Sequence, residues 1–349
     1  MTSYTNLEVI SVKSETKETI LLTLKSTGGN LINFSAGQFL TIFFSDGEKE
    51  IKRAFSICSS PDELPIITLA IKSDSPGPTH DIFLKNIHVG DNIKALPPLG
   101  HFTLDRLKGR ASNLFFIGAG SGIAPLYSML KWSLPHNPEY KHTLIYGNKD
   151  ETSVIFKNEL ELLEKQHTDS FSLYLVYSRP LAQKYPRTGR INEKTITDIL
   201  KSFSEYEVKN SNYFMCGPSD LMKKTRAILI SIGVKDKNIH SEDFVVKILD
   251  ENDTTELKER EVTIIVDGNK YEFNVDPNKS IMTAAKDNGI TLPCKCTEGK
   301  CGTCKAKLLS GVLKLKGQKA LKSTELNNDN CLTCVGFPAS EDVVIFYDD

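Results

Sequence analysis

The sequence of 349 residues lacks the features that mark some common classes of protein. It has no apolar run close to the roughly 18 residues that a membrane-spanning helix needs. Lysine and arginine (43) almost balance aspartate and glutamate (44), so no net field attracts nucleic acid or acidic lipid. Its first residues, MTSYTNLEVISVKSETKE, have neither the basic start nor the apolar segment of a secretory signal. We therefore expect a cytoplasmic protein with no membrane span and no nucleic-acid partner.

Cysteine is nearly absent outside one window of the chain. Of the eight cysteines only Cys58 and Cys216 lie apart, and the other six fall within residues 294–334. Cytoplasmic thiols stay reduced, so clustered cysteines indicate metal binding rather than disulfides. A chain of this length is longer than one hydrophobic core usually organises, so we expect two or three domains.

The pattern of apolar residues changes twice along the chain. The first hundred residues hold short β-rich runs, such as ILLTLKS and PIITLAIKS, that predict an antiparallel barrel or sandwich. From Ser112, strands alternate with helices: NLFFIGAGSG, IAPLYSMLKWSL, HTLIYGN, SVIFKNELELLEKQ and FSLYLVYSR predict parallel βαβ units. LDENDTTELKERE is a polar linker, and after it VTIIV and YEFNV flank a hairpin turn at Asp267-Gly268. A short helix follows, with Ser280 as its N-cap and Gly289 just past its end.

The cysteine window allows two interpretations. Cys301/Cys304 and Cys331/Cys334 form two CxxC pairs, which is typical of zinc ribbons. Alternatively, Cys296-x4-Cys301-x2-Cys304 with a distant fourth cysteine has the spacing of a plant-type [2Fe–2S] site. The second interpretation also uses the glycines of the loop, which let backbone N–H groups wrap around bridging sulfur atoms.

The segment PCKCTEGKCGTCKAKLLSG, with CLTC further on, resembles the plant-type ferredoxin domain. This resemblance implies four cluster ligands, which are Cys296, Cys301, Cys304 and Cys334. Cys294 and Cys331 are additional to that pattern. We expect them to be buried small side chains near the cluster, with a disulfide or a redox role as the alternative.

A second motif lies where the first parallel strand meets its helix. FFIGAGSGIAP contains G-x-G-x-G-x-x-P, comprising Gly118, Gly120, Gly122 and Pro125. Such a turn can hold a pyrophosphate on backbone N–H groups and a helix N-terminus. A tight turn that binds nothing is the alternative.

The turn resembles the nucleotide loop of the ferredoxin–NADP⁺ reductase family, and the segments RAFS, YGNKDETSVIF and MCGPSDLM support this match in the expected order. The resemblance covers about residues 5–245. It implies that Arg53 binds the flavin diphosphate, Phe55 stacks on the isoalloxazine, and Ser56 lies near its N5 as a catalytic residue.

Further roles follow from the same resemblance. Cys216, with Gly217 and Pro218, is expected at the nicotinamide, where Cys216 has a catalytic role in shaping the ring pocket. Thr79 in SPGPTHD is our choice for a second flavin-phosphate contact, and a proline-rich surface turn is the alternative. Phe244 is expected close to the flavin, and ordinary core packing is the alternative.

The choice of nicotinamide depends on the end of a later strand. There Ser178 and Arg179 resemble a 2′-phosphate site, and Arg187 could assist. Basic side chains at this place favour a 2′-phosphate, whereas a carboxylate favours the free 2′-hydroxyl. We therefore predict NADPH, with NADH as the alternative cofactor. The alternative for Arg179 is that it is a solvent-exposed residue at the end of the strand and binds no phosphate.

Together the two resemblances imply a multi-domain fold. An antiparallel β-barrel FAD domain covers 1–107, and an α/β Rossmann-like NAD(P) domain covers 108–248. A linker over 249–260 leads to an α+β β-grasp [2Fe–2S] ferredoxin domain over 261–349.

The cofactors account for this order of domains. A nicotinamide gives two electrons as hydride, a [2Fe–2S] cluster takes one at a time, and FAD can connect the two. We predict an NAD(P)H-dependent reductase that passes single electrons to a partner such as an oxygenase or hydroxylase. A stand-alone diaphorase or ferric reductase is one alternative, and a non-enzymatic thiol or zinc redox-sensing module is another.

Between Gly299 and Thr324 the chain has no acidic residue. It has seven lysines there, namely Lys300, Lys305, Lys307, Lys314, Lys316, Lys319 and Lys322. They predict a basic face that docks an acidic partner or the chain's own reductase domain. A solvated lysine-rich surface is the alternative.

Overall fold

A computed structural model describes residues 4–27, 32–45, 50–72, 86–107, 113–182, 185–242 and 246–347. The chain divides into two compact units. One comprises residues 5–98 and 102–242, and the other comprises residues 1–4, 99–101 and 243–349. In the described ranges, no helix is long and apolar enough to cross a membrane.

The first unit begins with a six-stranded antiparallel barrel. Its strands are β1 (Thr5–Thr16), β2 (Thr19–Ser26), β3 (Phe39–Ser45), β4 (Glu50–Ser56), β5 (Ile66–Lys72) and β6 (Asn92–Ala95). They pair in the order β4-β3-β6-β1-β2-β5. A bridge between Ile57 and Leu69 joins the two outer strands, and Cys58 N–H donates to Thr68 O at 2.9 Å beside it. The sheet therefore closes, and alternate side chains such as Leu22 fill its core.

A parallel sheet with helices follows in the same unit. Its elements are β7 (Asn113–Ala119), α1 (Ile123–His136), β8 (Lys141–Asn148), α2 (Lys157–Gln166), β9 (Phe171–Tyr177), α3 (Glu193–Leu200), α4 (Glu205–Asn210), β10 (Asn212–Cys216), α5 (Ser219–Ser231) and β11 (Ile239–Glu242). The strand order is β11-β10-β7-β8-β9, and all pairs are parallel. The central strand β7 is buried on both faces, because helices cover each side.

Helix α2 begins later than the periodicity of SVIFKNELELLEKQ predicts. Phe156 has φ +60°, a left-handed conformation that no helix can include. Its ring is buried and stacks on Tyr127 with centroids 4.3 Å apart, and its N–H donates to Glu15 Oε1 at 2.8 Å. Val154 and Ile155 are buried too. The apolar start of the segment therefore packs into the core as a separate turn.

The second unit is an α+β fold of two sheets. Its elements are β12 (Lys247–Leu249), β13 (Arg260–Val266), β14 (Asn269–Val275), α6 (Ile281–Asp287), β15 (Lys305–Ser310), β16 (Val312–Leu315), α7 (Ser323–Leu326), β17 (Asn330–Leu332), β18 (Gly336–Pro338) and β19 (Val343–Phe346). The larger sheet has the order β14-β13-β19-β15-β17 and the smaller one β12-β16-β18. The hairpin turn has φ +48° at Asp267 and +73° at Gly268, and Ser280 Oγ accepts from Thr283 N–H at 3.2 Å, both as predicted.

His142 on β8 makes the stability of the first unit sensitive to acid. Its side chain is buried, its Nε2 lies 2.8 Å from Ser133 Oγ, and burial lowers its pKa to about 4. The unfolded chain takes up this proton near pH 6.5, so between about pH 6.5 and 4 the unfolded state binds more protons. Stability therefore falls as pH falls through this window.

We expect His142→Gln to reduce this loss, because glutamine can keep a hydrogen bond to Ser133 but does not titrate. The free energy of unfolding, measured by urea denaturation at pH 7 and pH 5, should fall by roughly 2 kcal/mol less in the variant than in the wild type. Equal losses in both proteins would contradict this assignment.

Candidate functional site

The glycine turn between β7 and α1 is packed against the end of β10. A Cβ on Gly122 would lie 2.1 Å from the Cys216 carbonyl oxygen, and one on Gly118 would lie 2.8 Å from Leu126 Cδ1. Gly120 has φ +56°, and its carbonyl accepts a hydrogen bond from Tyr146 Oη at 2.9 Å. A side chain at Gly122 would push the turn off the neighbouring strand, and one at Gly120 would be strained by the left-handed backbone.

The same edge of the sheet gathers the other predicted nucleotide residues. Since β7 and β10 are parallel neighbours, their carboxyl ends lie together, and Gly217 and Pro218 therefore adjoin the glycine turn. Pro125 is buried in the first turn of α1. This edge thus presents backbone N–H groups at the start of a fourteen-residue helix, which suits a pyrophosphate.

Cys216 is the last residue of β10 and is fully buried. Its thiol belongs to the apolar cluster between α1 and the sheet. A buried small side chain here suits a flat pocket wall, and its catalytic role remains a prediction.

The predicted flavin residues lie at the end of barrel strand β4. Arg53 is exposed, and Phe55 is half-buried against the barrel core. The hydroxyl of Ser56 is buried and has no hydrogen-bond partner within the described part of the chain. Buried polar groups nearly always have a partner, so this unpaired hydroxyl, an adjacent ring and an exposed guanidinium fit a bound flavin. Thr79 and Phe244 lie outside the described residues.

The two predicted 2′-phosphate residues follow β9 directly. Ser178 N–H donates to Asn148 O at 2.9 Å, and Arg179 N–H donates to Lys149 O at 2.7 Å. The Arg179 side chain is exposed. Arg187 O accepts a hydrogen bond from Tyr177 N–H at 3.3 Å, one residue before Ser178, and the Arg187 guanidinium lies 4.7 Å from the centre of the Tyr174 ring.

The four predicted cluster ligands approach each other in two pairs. Cys304 and Cys334 are buried, with sulfurs 3.1 Å apart. Cys301 is exposed, and hydrogen bonds from Thr303, with a smaller one from Cys296, lower its pKa to about 6. Among the described residues, no three His, Cys, Asp or Glu side chains converge as a single ion would require.

Gly299 shapes the loop around these sulfurs. It has φ +70°, and a Cβ there would lie 3.1 Å from both Gln318 Cα and Gly317 O. Its carbonyl accepts from the N–H groups of Lys319 and Ala320 at 2.9 and 3.0 Å. Burial raises the pKa of Cys334 to about 12, while the Gly299 N–H favours the thiolate. A buried thiol of this kind loses its proton readily only to a metal.

The two additional cysteines behave differently from each other. Cys331 is fully buried on β17 opposite Ala306, as expected, and burial raises its pKa. Cys294 is exposed, so the expectation that it is buried is wrong. It lies in an irregular segment before the cysteine loop.

Family sequence models match all three parts of the chain. They describe an oxidoreductase FAD-binding domain (residues 6–104), an oxidoreductase NAD-binding domain (116–227) and a 2Fe-2S iron-sulfur cluster binding domain (264–339). The class is therefore a flavin-dependent, nicotinamide-linked oxidoreductase with an iron–sulfur domain.

Full-length relatives carry the same arrangement. The chain is 30% identical to a subunit of the 1,2-phenylacetyl-CoA epoxidase of Escherichia coli, over 100% of this chain and 99% of that protein. It is 27% identical to the ferredoxin reductase component of 3-ketosteroid-9-alpha-monooxygenase of Mycolicibacterium smegmatis, over 98% and 97%. The structure of phthalate dioxygenase reductase aligns with a TM-score of 0.57 at 22% identity, over 99% and 98%. The chain belongs to this family of three-domain flavin and iron–sulfur reductases.

Family membership confirms the central predictions from the sequence. The fold consists of a β-barrel FAD domain, an α/β nucleotide domain and a ferredoxin domain. The cofactors are FAD, NAD(P)H and a [2Fe–2S] cluster, and the chain is an oxidoreductase. The zinc and non-enzymatic alternatives are therefore wrong.

Sequence reasoning missed two charged residues near the nucleotide edge. Lys72 ends barrel strand β5, and its Nζ lies 3.6 Å from the position of a Cβ on Gly120. Glu151 accepts hydrogen bonds from the N–H groups of Leu181 and Ala182 at 2.9 and 3.1 Å. The lysine contact depends on how the barrel packs, which no local pattern encodes. A carboxylate shortly after β8 was a usable signal for Glu151.

The contact at Gly122 predicts a strong effect of one methyl group. Gly122→Ala should weaken binding of the nicotinamide nucleotide by roughly tenfold or more, because the end of β10 must move to admit the Cβ. Gly147→Ala on β8 is the matched control, since a Cβ there would lie 3.0 Å from the movable end of the Ile191 side chain and not against backbone, and its affinity should fall less. Isothermal calorimetry measures both, and an unchanged affinity in Gly122→Ala would contradict the packing argument.

Proposed function

We propose that the chain is the reductase component of an oxygenase or hydroxylase system. It takes hydride from NADPH and delivers electrons one at a time to a separate protein. The supporting observation is that one chain combines a nucleotide turn, a flavin strand and a paired set of four thiols. The sequence carries no metal-oxygenase motif of its own, so the oxygen chemistry belongs to the partner. We expect this work to occur in the cytoplasm, where thiols stay reduced.

At the flavin, bound FAD supplies the conversion between a hydride and single electrons. Arg53 would bind the diphosphate, Phe55 would stack on the ring system, and the Ser56 hydroxyl would donate a hydrogen bond near the reacting nitrogen. From the sequence alone, Thr79 would supply a second flavin-phosphate contact and Phe244 an aromatic ring close to the flavin. Their common task is to orient the flavin and exclude water.

At the nucleotide, Gly118, Gly120 and Gly122 hold the pyrophosphate with backbone N–H groups, and Pro125 sets the start of α1. Cys216 with Gly217 and Pro218 forms the wall that keeps the nicotinamide flat. A small buried thiol leaves space for that ring without offering a competing hydrogen bond.

The cluster would be held by Cys296 and Cys301 as one pair of thiolates and by Cys304 and Cys334 as the other. Cys334→Ser should therefore abolish the rhombic EPR signal of the reduced [2Fe–2S] centre and lower the iron content. Cys331→Ser is a matched control, because Cys331 is also buried and lies three residues away. Loss of iron in Cys331→Ser with full retention in Cys334→Ser would refute the ligand set.

NADPH is the proposed hydride donor because Ser178 and Arg179 follow β9 where a 2′-phosphate would lie. Arg179→Gln should lower kcat/KM for NADPH by about ten- to a hundredfold, the range for losing a charge-assisted hydrogen bond. The value for NADH should change little. Equal losses with both nucleotides would assign Arg179 a general structural role instead.

The partner is proposed to present an acidic face. Of the seven lysines predicted to form a basic face, Lys314 does not belong to it, because its side chain is buried and its Nζ bonds to Asp253 O. Lys300, Lys305 and Lys307 form ion pairs with Glu298, Glu325 and Asp329, at 2.6, 3.2 and 3.9 Å. The basic face is therefore narrower than the sequence predicts, and we define it by Lys316, Lys319 and Lys322, which are exposed.

Charge reversal tests this basic face. Lys319→Glu/Lys322→Glu should slow electron transfer to an acidic haem protein such as cytochrome b5 at low ionic strength by about tenfold or more. Reduction of neutral menadione should be unchanged, and Lys258→Glu/Lys286→Glu serves as a control of equal charge in the same unit. If transfer by the test variant matches the wild type at low salt, the docking proposal fails.

A further inference from the structure

We propose that Glu151 is a positioning residue for nucleotide selection, holding the turn at Ser178–Arg179 in the form that accepts a 2′-phosphate. This inference rests on the proposed NADPH site. It adds a residue that makes no contact with the nucleotide and acts through the backbone of the turn.

Backbone hydrogen bonds join the first residues of the turn after β9 to the end of β8. Regular pairing of the two strands ends at Asn148 opposite Tyr177. Two more bonds then extend the ladder, from Ser178 N–H to Asn148 O at 2.9 Å and from Arg179 N–H to Lys149 O at 2.7 Å. At Pro180 the ladder must stop, because proline has no N–H to donate.

Beyond Pro180 the Glu151 side chain takes over as acceptor. Its Oε2 accepts from Leu181 N–H at 2.9 Å, and its Oε1 accepts from Ala182 N–H at 3.1 Å. Leu181 is 72% exposed, so its side chain contributes little packing that could hold the loop. The carboxylate therefore fixes the far side of the turn, as backbone carbonyls fix the near side.

The charge state of Glu151 agrees with this task. Partial desolvation opposes ionisation, but hydrogen bonds from the Leu181 and Ala182 N–H groups outweigh it, so the pKa of Glu151 lies below its ordinary value. Tyr185, whose ring lies 4.6 Å from that of Tyr177, adds a further hydrogen bond to the carboxylate. The Glu151 carboxylate, which anchors the Leu181–Ala182 backbone, is thus ionised throughout the neutral pH range.

A carboxylate shortly after a Rossmann-type strand has another common use, which is to accept the ribose 2′-hydroxyl and repel a 2′-phosphate. Both Glu151 oxygens are already bound to the loop backbone, which argues against that role here. The two roles predict opposite effects. Loss of the anchor weakens 2′-phosphate binding, whereas loss of a repelling carboxylate strengthens it.

Glu151→Gln in the holoenzyme separates these roles. The amide keeps one acceptor oxygen but turns an NH₂ group toward the second N–H, so one of two charge-assisted bonds is lost and the other is weakened. We expect the affinity for 2′,5′-ADP, measured by calorimetry, to fall by about five- to tenfold. The affinity for ADP should stay within about twofold, since the turn at Ser178–Arg179 serves only the 2′-phosphate.

Glu161→Gln on α2 is the matched control. Glu161 acts on Tyr177 and Tyr185 through its charge, so the variant removes one negative charge near the same turn and leaves the loop anchor in place. Its 2′,5′-ADP affinity should not fall. Backbone amide exchange at Leu181 and Ala182 should be faster in Glu151→Gln than in Glu161→Gln. If Glu151→Gln folds poorly, Glu151→Asp shortens the same anchor and should show the same selective loss.

Each result decides between the proposals. Stronger or unchanged 2′,5′-ADP binding in Glu151→Gln overturns the positioning role. If the wild type binds 2′,5′-ADP no better than ADP, and Arg179→Gln changes neither affinity, the proposed NADPH site fails first. A selective loss in Arg179→Gln without one in Glu151→Gln removes only the positioning role and leaves the site itself supported.

Discussion

The close approach of Gly122 to the Cys216 carbonyl is the contact on which the nucleotide site depends. The turn after β7 can pack onto the end of β10 because Gly122 has no side chain. A Cβ on Gly122 would lie only 2.1 Å from the Cys216 carbonyl oxygen. The Gly120–Gly122 turn, the start of α1 and the Cys216–Pro218 segment then share one edge of the sheet. A pyrophosphate and a flat nicotinamide need such an edge, with backbone donors on one side and small residues on the other.

The iron–sulfur loop obeys a similar constraint by other means. Gly299 packs against the backbone of Gly317 and Gln318, and its carbonyl accepts hydrogen bonds from two N–H groups. Its own N–H faces the Cys334 sulfur. Nucleotide turn and cysteine loop thus both rely on glycines that allow close backbone approach. The difference is electrostatic, because one site gathers N–H donors for an anion and the other gathers thiolates for cations.

Local spacing predicted those parts of the molecule that local geometry determines. The glycine turn and the Asp267-Gly268 hairpin each depend on a few neighbouring residues, so their sequence patterns were sufficient. The predicted start of α2 was too early, because Phe156 is held out of the helix by contacts with Tyr127 and Glu15, which are distant in sequence. Lys314 was wrongly placed on the basic face because its bond to Asp253 spans sixty-one residues. The position of Glu151 shortly after β8 was a usable signal, but its bonds to Leu181 and Ala182 span thirty and thirty-one residues and follow from no local pattern.

Anaerobic titration of the holoenzyme with NADPH, followed by visible absorption and low-temperature EPR, shows whether electrons pass from the nucleotide through the flavin to the cluster. We expect the flavin absorbance to bleach and a rhombic signal of a reduced [2Fe–2S] centre then to develop, with NADH acting more slowly. Flavin bleaching in protein of full iron content, without any iron–sulfur signal, would contradict the relay. That result would describe a diaphorase in which the ferredoxin unit takes no part.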